Sequence, residues 1–215
     1  MNEQQLVDKT EAYVRTLLES EGSGHDWWHI YRVKEMSLRL AREEGADSFV
    51  CVMAALLHDL ADEKVMGDEQ KGRELVEGWL RNLQLDQHTA GQIIEIIGTL
   101  SYRGGGRPPM KTIEGMVVQD ADRLDAIGAI GIARAFVFSG AKGQIIHNPD
   151  MLPNADMSAE EYKKRETTAI NHFYEKLLKL KGLMNTKKGR ELACQRHQFM
   201  VEYLDVFYRE WEGQE

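Results

Sequence analysis

Apolar side chains recur every three or four positions along most of the chain, and the strict alternation typical of strands is hard to find. Spacing of three and four residues places side chains on one face of an α-helix. The pattern therefore predicts an all-α fold. The first apolar stripe ends at the glycine-containing segment 21–26 and is formed by Leu6, Tyr13, Val14, Leu17 and Leu18.

Capping residues set the predicted boundaries of the next helices. A second helix runs from about Trp27 to Glu44, and Gly45 is suited to end it because glycine readily adopts the left-handed conformation. Asp47 can accept hydrogen bonds from the first amides of the helix that follows. Two further helices are predicted over about residues 69–82 and 87–100, each preceded by an aspartate.

The helix that begins near Ser48, SFVCVMAALLHDL, is apolar on nearly every side. Such a helix is expected in the centre of a hydrophobic core. It nevertheless ends in His58 and Asp59. Charged groups at the end of a buried helix need a partner, and a metal ion is one.

The second half of the chain alternates between long loops and helices. Three glycines and two prolines make residues 101–109 a loop, and helix is predicted from Thr112 through DAIGAIGIARAFVFSG. Gly128 and Gly131 lie among apolar residues there, which indicates close helix packing. After a second loop, the capping-box spacing of Ser158 and Glu161 predicts a helix to about Lys181, and a last helix follows from about Lys187 to Trp211.

The length and composition fit one domain spanning residues 1–215. With 42% hydrophobic and 29% charged residues, the chain can bury one substantial core and is not typical of a disordered protein. We expect a metal-binding core over about residues 20–140 and C-terminal helices over about 158–212. Cys51 and Cys194 both lie in apolar helical patterns, so we expect two core thiols and no disulfide.

The balance of charge limits the partners. The 35 acidic and 27 basic residues give a net charge of −8, which does not favour duplex nucleic acid. A small anion remains a possible ligand, because a metal and a few basic side chains can bind phosphate on an acidic protein. The N-terminus lacks the pattern of a signal peptide and no apolar run is long enough to span a membrane, so we expect a cytoplasmic protein.

Candidate metal ligands come from three predicted helices. His29 and Arg32 share a face of the second helix, His58 and Asp59 end the third, and a later helix carries Asp120, Asp122 and Asp125. Two imidazoles and two carboxylates suit Mn²⁺, Fe²⁺, Co²⁺, Ni²⁺ or Zn²⁺, and Mg²⁺ less well because it prefers oxygen. Asp122 is favoured as the last ligand by its place in the ADR triplet. Asp120 and Asp125 are candidates to support the ligands without contacting the metal.

Three segments, HDWWHIYRV, LLHDLADEK and VVQDADRLDAIGAIGIARAF, resemble the HD-domain phosphohydrolase superfamily. The resemblance is closest to a bacterial subgroup that shares the GHDWWH, HD-xx-DEK and DADRLDAIGAIGIAR signatures. It implies a single-domain helical bundle of the HD type and places His29, His58, Asp59 and Asp122 on the family's metal ligands. It also implies manganese-supported hydrolysis of nucleoside triphosphates to monophosphate and pyrophosphate.

Other residues near these motifs are candidates for catalysis and substrate binding. Asp62 or Glu63 could orient or deprotonate the attacking water, although many HD enzymes carry glutamate where Asp62 stands. Asp26 could act in catalysis or simply cap the second helix, and His25 could meet a phosphate or have no role. Charge on the phosphates could be neutralised by Arg32 and Lys64, with Arg103 and Arg123 as weaker candidates.

The sequence leaves several alternatives open. The same site could serve a phosphomonoesterase or a guanosine-alarmone hydrolase, or a sensor that binds nucleotides without cleaving them. A purely structural metal would instead have a closed coordination shell. The chain could be a monomer or a homodimer.

Overall fold

The computed structural model of this protein describes residues 1–19, 26–61, 68–100, 110–154 and 166–214. These residues form nine α-helices, two 3-10 segments and no strand, which confirms the all-α prediction. The 3-10 segments are His58–Ala61 and Leu177–Leu183. The α-helices are α1 (Glu3–Leu18), α2 (Trp27–Glu44), α3 (Ser48–Leu57), α4 (Glu69–Asn82), α5 (Gln87–Leu100), α6 (Ile113–Asp125), α7 (Gly128–Ala141), α8 (Ala169–Glu175) and α9 (Lys187–Trp211).

Contacts divide the chain into two compact units, Met1–Asp122 and Arg123–Glu215. The expected single domain over residues 1–215 stays a prediction, as do its proposed inner boundaries.

In the first unit, α3 is the central helix. Every side chain from Val50 to Leu57 is buried, and α3 packs against α1, α2 and α5. The 3-10 turn His58–Ala61 continues α3 and packs against α4 and α5. The prediction of a helix buried on nearly all sides that ends in His58 and Asp59 is therefore confirmed.

Local capping explains why the predicted boundaries of α2 are confirmed. The side chain of Asp26 accepts a hydrogen bond from the amide of His29 at 2.8 Å and so begins the helix. Gly45 ends it with a φ of 72° and donates its amide to the carbonyl of Ala41. The predicted boundaries of α4, α5 and α9 are confirmed in the same way.

The apolar stripe of α1 is confirmed except at Leu17. Leu6, Val14 and Leu18 are buried, but Leu17 is 43% exposed. Thr10 takes the inward position, where its hydroxyl accepts a hydrogen bond from Nε1 of Trp79 at 3.0 Å. The ring of Trp79 also stacks on Tyr13 with centroids 3.9 Å apart. A tryptophan from α4 thus covers the polar position of α1.

The helix predicted from Thr112 onward is interrupted within the second unit. It ends at Asp125 and resumes at Gly128, whose φ of 77° is a backbone conformation that L side chains rarely adopt. A Cβ on Gly131 would also collide with the carbonyl of Ala126. The two glycines therefore permit a break between two helices as well as close packing.

The long helix predicted to reach Lys181 is wrong over its described part. Residues 166–168 are not helical, and Thr168 caps a new short helix, α8, by accepting from the amide of Asn171 at 3.0 Å. The backbone leaves the helical region at Lys176, with φ −138° and ψ −59°, before the second 3-10 segment. The capping box predicted at Ser158 lies outside the described residues, as does the loop 101–109.

Aromatic side chains build the core of the second unit. Phe173 of α8 is fully buried between Phe136 of α7, at a ring distance of 6.2 Å, and Tyr203 of α9, at 6.0 Å. Both cysteines are unpaired, as expected. Cys51 is buried, but the prediction that Cys194 is a core residue is wrong, because it lies on the exposed face of α9.

Among the described residues, no single helix combines the length and the apolar character needed to cross a membrane. One bent pair, Ile113–Asp125 with Gly128–Ala141, meets that test only when the two helices are taken together.

Candidate metal centre

His29 enters the site from the first turn of α2. The cap at Asp26 fixes this turn, since its carboxylate bonds the amide of His29 itself. The His29 residue is only 1% exposed. The capping interpretation of Asp26 is thereby confirmed; a catalytic role for it stays a prediction, and His25 lies outside the described residues.

His58 is held by its own helix. Its Nδ1 lies 2.7 Å from the carbonyl oxygen of Ala55, and because a carbonyl can only accept, Nδ1 is the protonated nitrogen. In the neutral ring, Nε2 then carries the lone pair. Nε2 is buried and has no hydrogen-bond partner among the described residues. Buried polar atoms without a hydrogen bond are rare in proteins, and a metal ion would satisfy this one.

Asp59 brings a carboxylate between the two imidazoles. Its Oδ1 lies 3.2 Å from Nε2 of His58, and its Oδ2 lies 3.5 Å from Nε2 of His29. One ligating atom from each of these three buried residues lies within 4.8 Å of the others. Atoms bound about 2.1 Å from a common ion lie about 3 to 4 Å apart, so the cluster fits a divalent metal.

Asp122 lies beside the same imidazoles. Its Oδ1 is 3.5 Å from Nε2 of His29 and 4.0 Å from Nε2 of His58. Its side chain is 35% exposed, whereas that of Asp59 is 5% exposed. The four candidate ligands therefore form a cluster within Met1–Asp122 that is buried at Asp59 and accessible at Asp122.

The neighbouring aspartates of α6 differ from Asp122. Asp120 is fully buried, and Asp125, at 5% exposure, accepts a hydrogen bond from Nη1 of Arg134 at 2.6 Å. A supporting role for either behind the ligands stays a prediction.

The predicted substrate-binding and catalytic residues are only partly within the described residues. Arg32 is half-buried on α2, one turn after His29. Arg123 donates a hydrogen bond through Nη1 to the carbonyl of Leu183. Four further candidates, Asp62, Glu63, Lys64 and Arg103, lie outside the described residues, so their roles stay predictions.

The two tryptophans that precede His29 have different environments. Trp27 is buried, whereas Trp28 is 57% exposed. Trp28 contacts Tyr31 edge to face, with ring centroids 5.9 Å apart and the planes at 79°. Adjacent residues of a helix point about 100° apart, so Trp27 and Trp28 face different directions from α2.

Comparison with known proteins supports a metal site at these residues. The family model described as "HD domain" matches residues 27–127, which include His29, His58, Asp59 and Asp122. The chain belongs to the HD-domain superfamily and is a metal-dependent phosphohydrolase. It is 39% identical to the Bacillus subtilis protein YpgQ over 99% of this chain and 97% of YpgQ.

Solved structures similar to this chain support the same family. A Lactobacillus plantarum protein has a TM-score of 0.86 at 39% identity, covering 97% of this chain and 98% of its own. An HD-superfamily hydrolase from Bacillus thuringiensis has a TM-score of 0.80 at 41% identity, covering 99% and 100%. YpgQ has been solved in complex with ADP, with a TM-score of 0.77 at 38% identity, covering 97% and 100%.

Proposed function

We propose that this enzyme hydrolyses nucleoside triphosphates to the monophosphate and pyrophosphate, with one manganese ion bound by His29, His58, Asp59 and Asp122. The observation that carries the proposal is the cluster of imidazole and carboxylate groups that is buried at Asp59 and accessible at Asp122. The complex of the relative YpgQ with ADP supports a nucleotide as the ligand.

The ligand chemistry supports manganese over magnesium and over the softest ions. Two imidazoles disfavour Mg²⁺, and two carboxylates disfavour the softest ions. Four protein ligands on an octahedral ion leave two positions for water and substrate, whereas a purely structural ion has a closed shell. Iron, cobalt, nickel, zinc and magnesium remain the ions against which manganese is tested.

Each residue has a distinct part in the proposed reaction. A bound divalent cation lowers the pKa of water and polarises a phosphoryl oxygen. Hydrogen bonding to Ala55 keeps the Nε2 lone pair of His58 directed at the site. The accessible carboxylate of Asp122 marks the side from which substrate approaches. Arg32, on the helix of His29, balances phosphate charge.

We assign the remaining roles in the proposed reaction to residues outside the described ranges. Asp62 or Glu63 orients the attacking water or accepts its proton, and Lys64 and Arg103 contact the phosphates. Their sequence positions support these roles, because the first three directly follow the 3-10 turn that carries His58 and Asp59.

The test is a nucleotide screen with purified protein. The metal content is measured first, and then phosphate and pyrophosphate release are measured with Mn²⁺ and with the competing ions. We expect pyrophosphate release from a nucleoside triphosphate, and its loss in Asp59→Ala. Asp47→Ala is the matched control, because Asp47 accepts hydrogen bonds from Phe49 and Val50 at the start of α3, the helix that the turn of Asp59 continues, but is not one of the proposed ligands.

The products decide between the alternatives. Orthophosphate alone from a nucleotide or sugar phosphate would indicate a phosphomonoesterase, and pyrophosphate released from a guanosine alarmone would indicate an alarmone hydrolase. Tight nucleotide binding without turnover under any divalent ion would indicate a sensor. Turnover that survives Asp59→Ala would refute the proposed site.

A further inference from the structure

An exposed aromatic pair, Trp28 and Tyr31, lies on the first turns of α2, which also carry His29 and Arg32. Trp28 is 57% exposed and Tyr31 is 40% exposed, although each immediately precedes a site residue, His29 or Arg32. Large exposed aromatic side chains beside a polar site are typical of binding surfaces, because they offer contact area at little entropic cost.

The order of side chains around α2 connects this pair with the site. At about 100° per residue, Arg32 lies roughly 60° from His29 around the helix axis, Trp28 roughly 100° and Tyr31 roughly 160°, all in the same direction. Around the helix axis, the imidazole is therefore followed by the guanidinium, then by the indole and last by the phenol. A nucleotide carries the complementary order, from anionic phosphates to a flat base.

The two rings are not equivalent. Nζ of Lys34 lies 5.2 Å from the centroid of the Tyr31 ring. The same Nζ is 2.6 Å from Glu11 and 2.7 Å from Glu35, so carboxylates from α1 and α2 hold it there. Tyr31 meets Trp28 edge to face. This contact leaves the more exposed indole as the ring that can stack on a ligand, and Tyr31 as the group that orients it.

We propose that Trp28, oriented by Tyr31, stacks on the base of the nucleotide whose phosphates bind beside His29 and Arg32. This inference rests on the proposed nucleotide substrate. Stacking on an indole tolerates different bases, because every base has a π-face. The site therefore selects nucleotides over base-free polyphosphates and discriminates weakly among bases.

The test compares a ligand that has a base with one that lacks it. ADP and inorganic pyrophosphate are titrated in Mn²⁺ by calorimetry against the wild type, Trp28→Ala, Trp28→Leu and Trp28→Phe. We expect the Kd for ADP to rise about 5- to 20-fold in the Ala and Leu variants and to recover in Phe, which restores an aromatic face. The Kd for pyrophosphate is expected to stay the same in all four proteins.

Leucine is the decisive control, because it keeps an apolar side chain of moderate size and lacks the aromatic ring. An ADP affinity that is unchanged in Trp28→Leu, or a wild type that binds ADP no more tightly than pyrophosphate, would overturn the stacking role. Equal losses for ADP and pyrophosphate would also overturn it, since they would indicate a disturbed phosphate site. Thermal midpoints within about 2 °C of the wild type establish that the variants fold.

Turnover separates this inference from the proposed function. If the wild type cleaves nucleoside triphosphates and the Trp28 variants bind ADP normally, stacking is wrong and the proposed function stands. If ADP binding depends on the ring at residue 28 but no nucleotide is cleaved, stacking stands and the proposed reaction is wrong.

Discussion

Gly128 lies against the side chain of Arg196, so closely that a Cβ atom on residue 128 would be 2.9 Å from Cγ of that arginine. Arg196 in turn donates a hydrogen bond to the carbonyl of Leu124, near the end of α6. We expect Gly128→Ala to lower the free energy of unfolding by about 1 to 3 kcal/mol. The alanine Cβ would clash with Arg196, and the backbone of alanine would be strained at this positive φ. Urea denaturation measures the change.

Gly140 provides the control for that substitution, because it lies in the same helix and a Cβ there would meet nothing within 4 Å. Gly140→Ala is expected to be neutral or to stabilise by up to about 1 kcal/mol. Equal destabilisation by both variants would show that the contact with Arg196 is unimportant.

Metal binding should stabilise the fold. Mn²⁺ at about 100 times its Kd adds about 2.7 kcal/mol to the free energy of unfolding, which corresponds to roughly 5 to 10 °C in Tm for a protein of this size. We expect His58→Ala to abolish this rise, measured by differential scanning calorimetry with and without Mn²⁺. His88→Ala, which removes an exposed histidine of α5, should keep it. A full rise in His58→Ala would contradict the proposed ligand set.

Arg32 and Arg123, the two candidates for substrate binding within the described residues, should respond differently to substitution. Arg32→Gln is expected to reduce kcat/KM about 10- to 100-fold, because it removes a charge-assisted hydrogen bond to the phosphates. Arg123→Gln removes the hydrogen bond to Leu183 and should lower the free energy of unfolding by about 1 kcal/mol with little effect on KM. Steady-state kinetics and urea denaturation on both variants distinguish the roles. A large rise in KM for Arg123→Gln would show that this side chain binds substrate.

The two thiols should differ in reactivity. Burial raises the pKa of the Cys51 thiol, and the carboxylates of Glu114 and Asp47 raise it further. Because the thiolate is the nucleophile, Cys51 should resist alkylation at pH 8 while the exposed Cys194 reacts. Mass spectrometry should find one iodoacetamide adduct on the native protein and two after denaturation. Cys194→Ser should leave the native protein unlabelled, and an adduct on Cys51 in that variant would contradict its burial.

Local signals explain which parts of the fold could be predicted. The ends of α2 are encoded by Asp26 and Gly45, which act within a few residues of the backbone they cap. The end of α8 carries no such signal, because the backbone turns away at Lys176, a residue that readily forms helices. Packing decides such positions, as it decides that Leu17 is exposed while Thr10 is buried.

The residues of the candidate site could be proposed from the sequence, but the shape of the cluster could not. His29, His58, Asp59 and Asp122 could be named because their motifs resemble a family. Their spacing in the sequence does not reveal that Asp59 is buried and Asp122 accessible. Burial depends on how helices from distant parts of the chain pack together. Nor could the edge-to-face contact of Trp28 with Tyr31 be derived from spacing alone.

The candidate ligands are distributed unevenly along the chain. His58 and Asp59 are neighbours, but His29 and Asp122 approach them only after α2 and α6 have packed. An unfolded or newly synthesised chain therefore presents a two-ligand fragment, which competes poorly for scarce cations. The full ligand set exists only in the folded chain, so we expect the metal to bind after folding and the ion then bound to depend on which divalent cations are at hand.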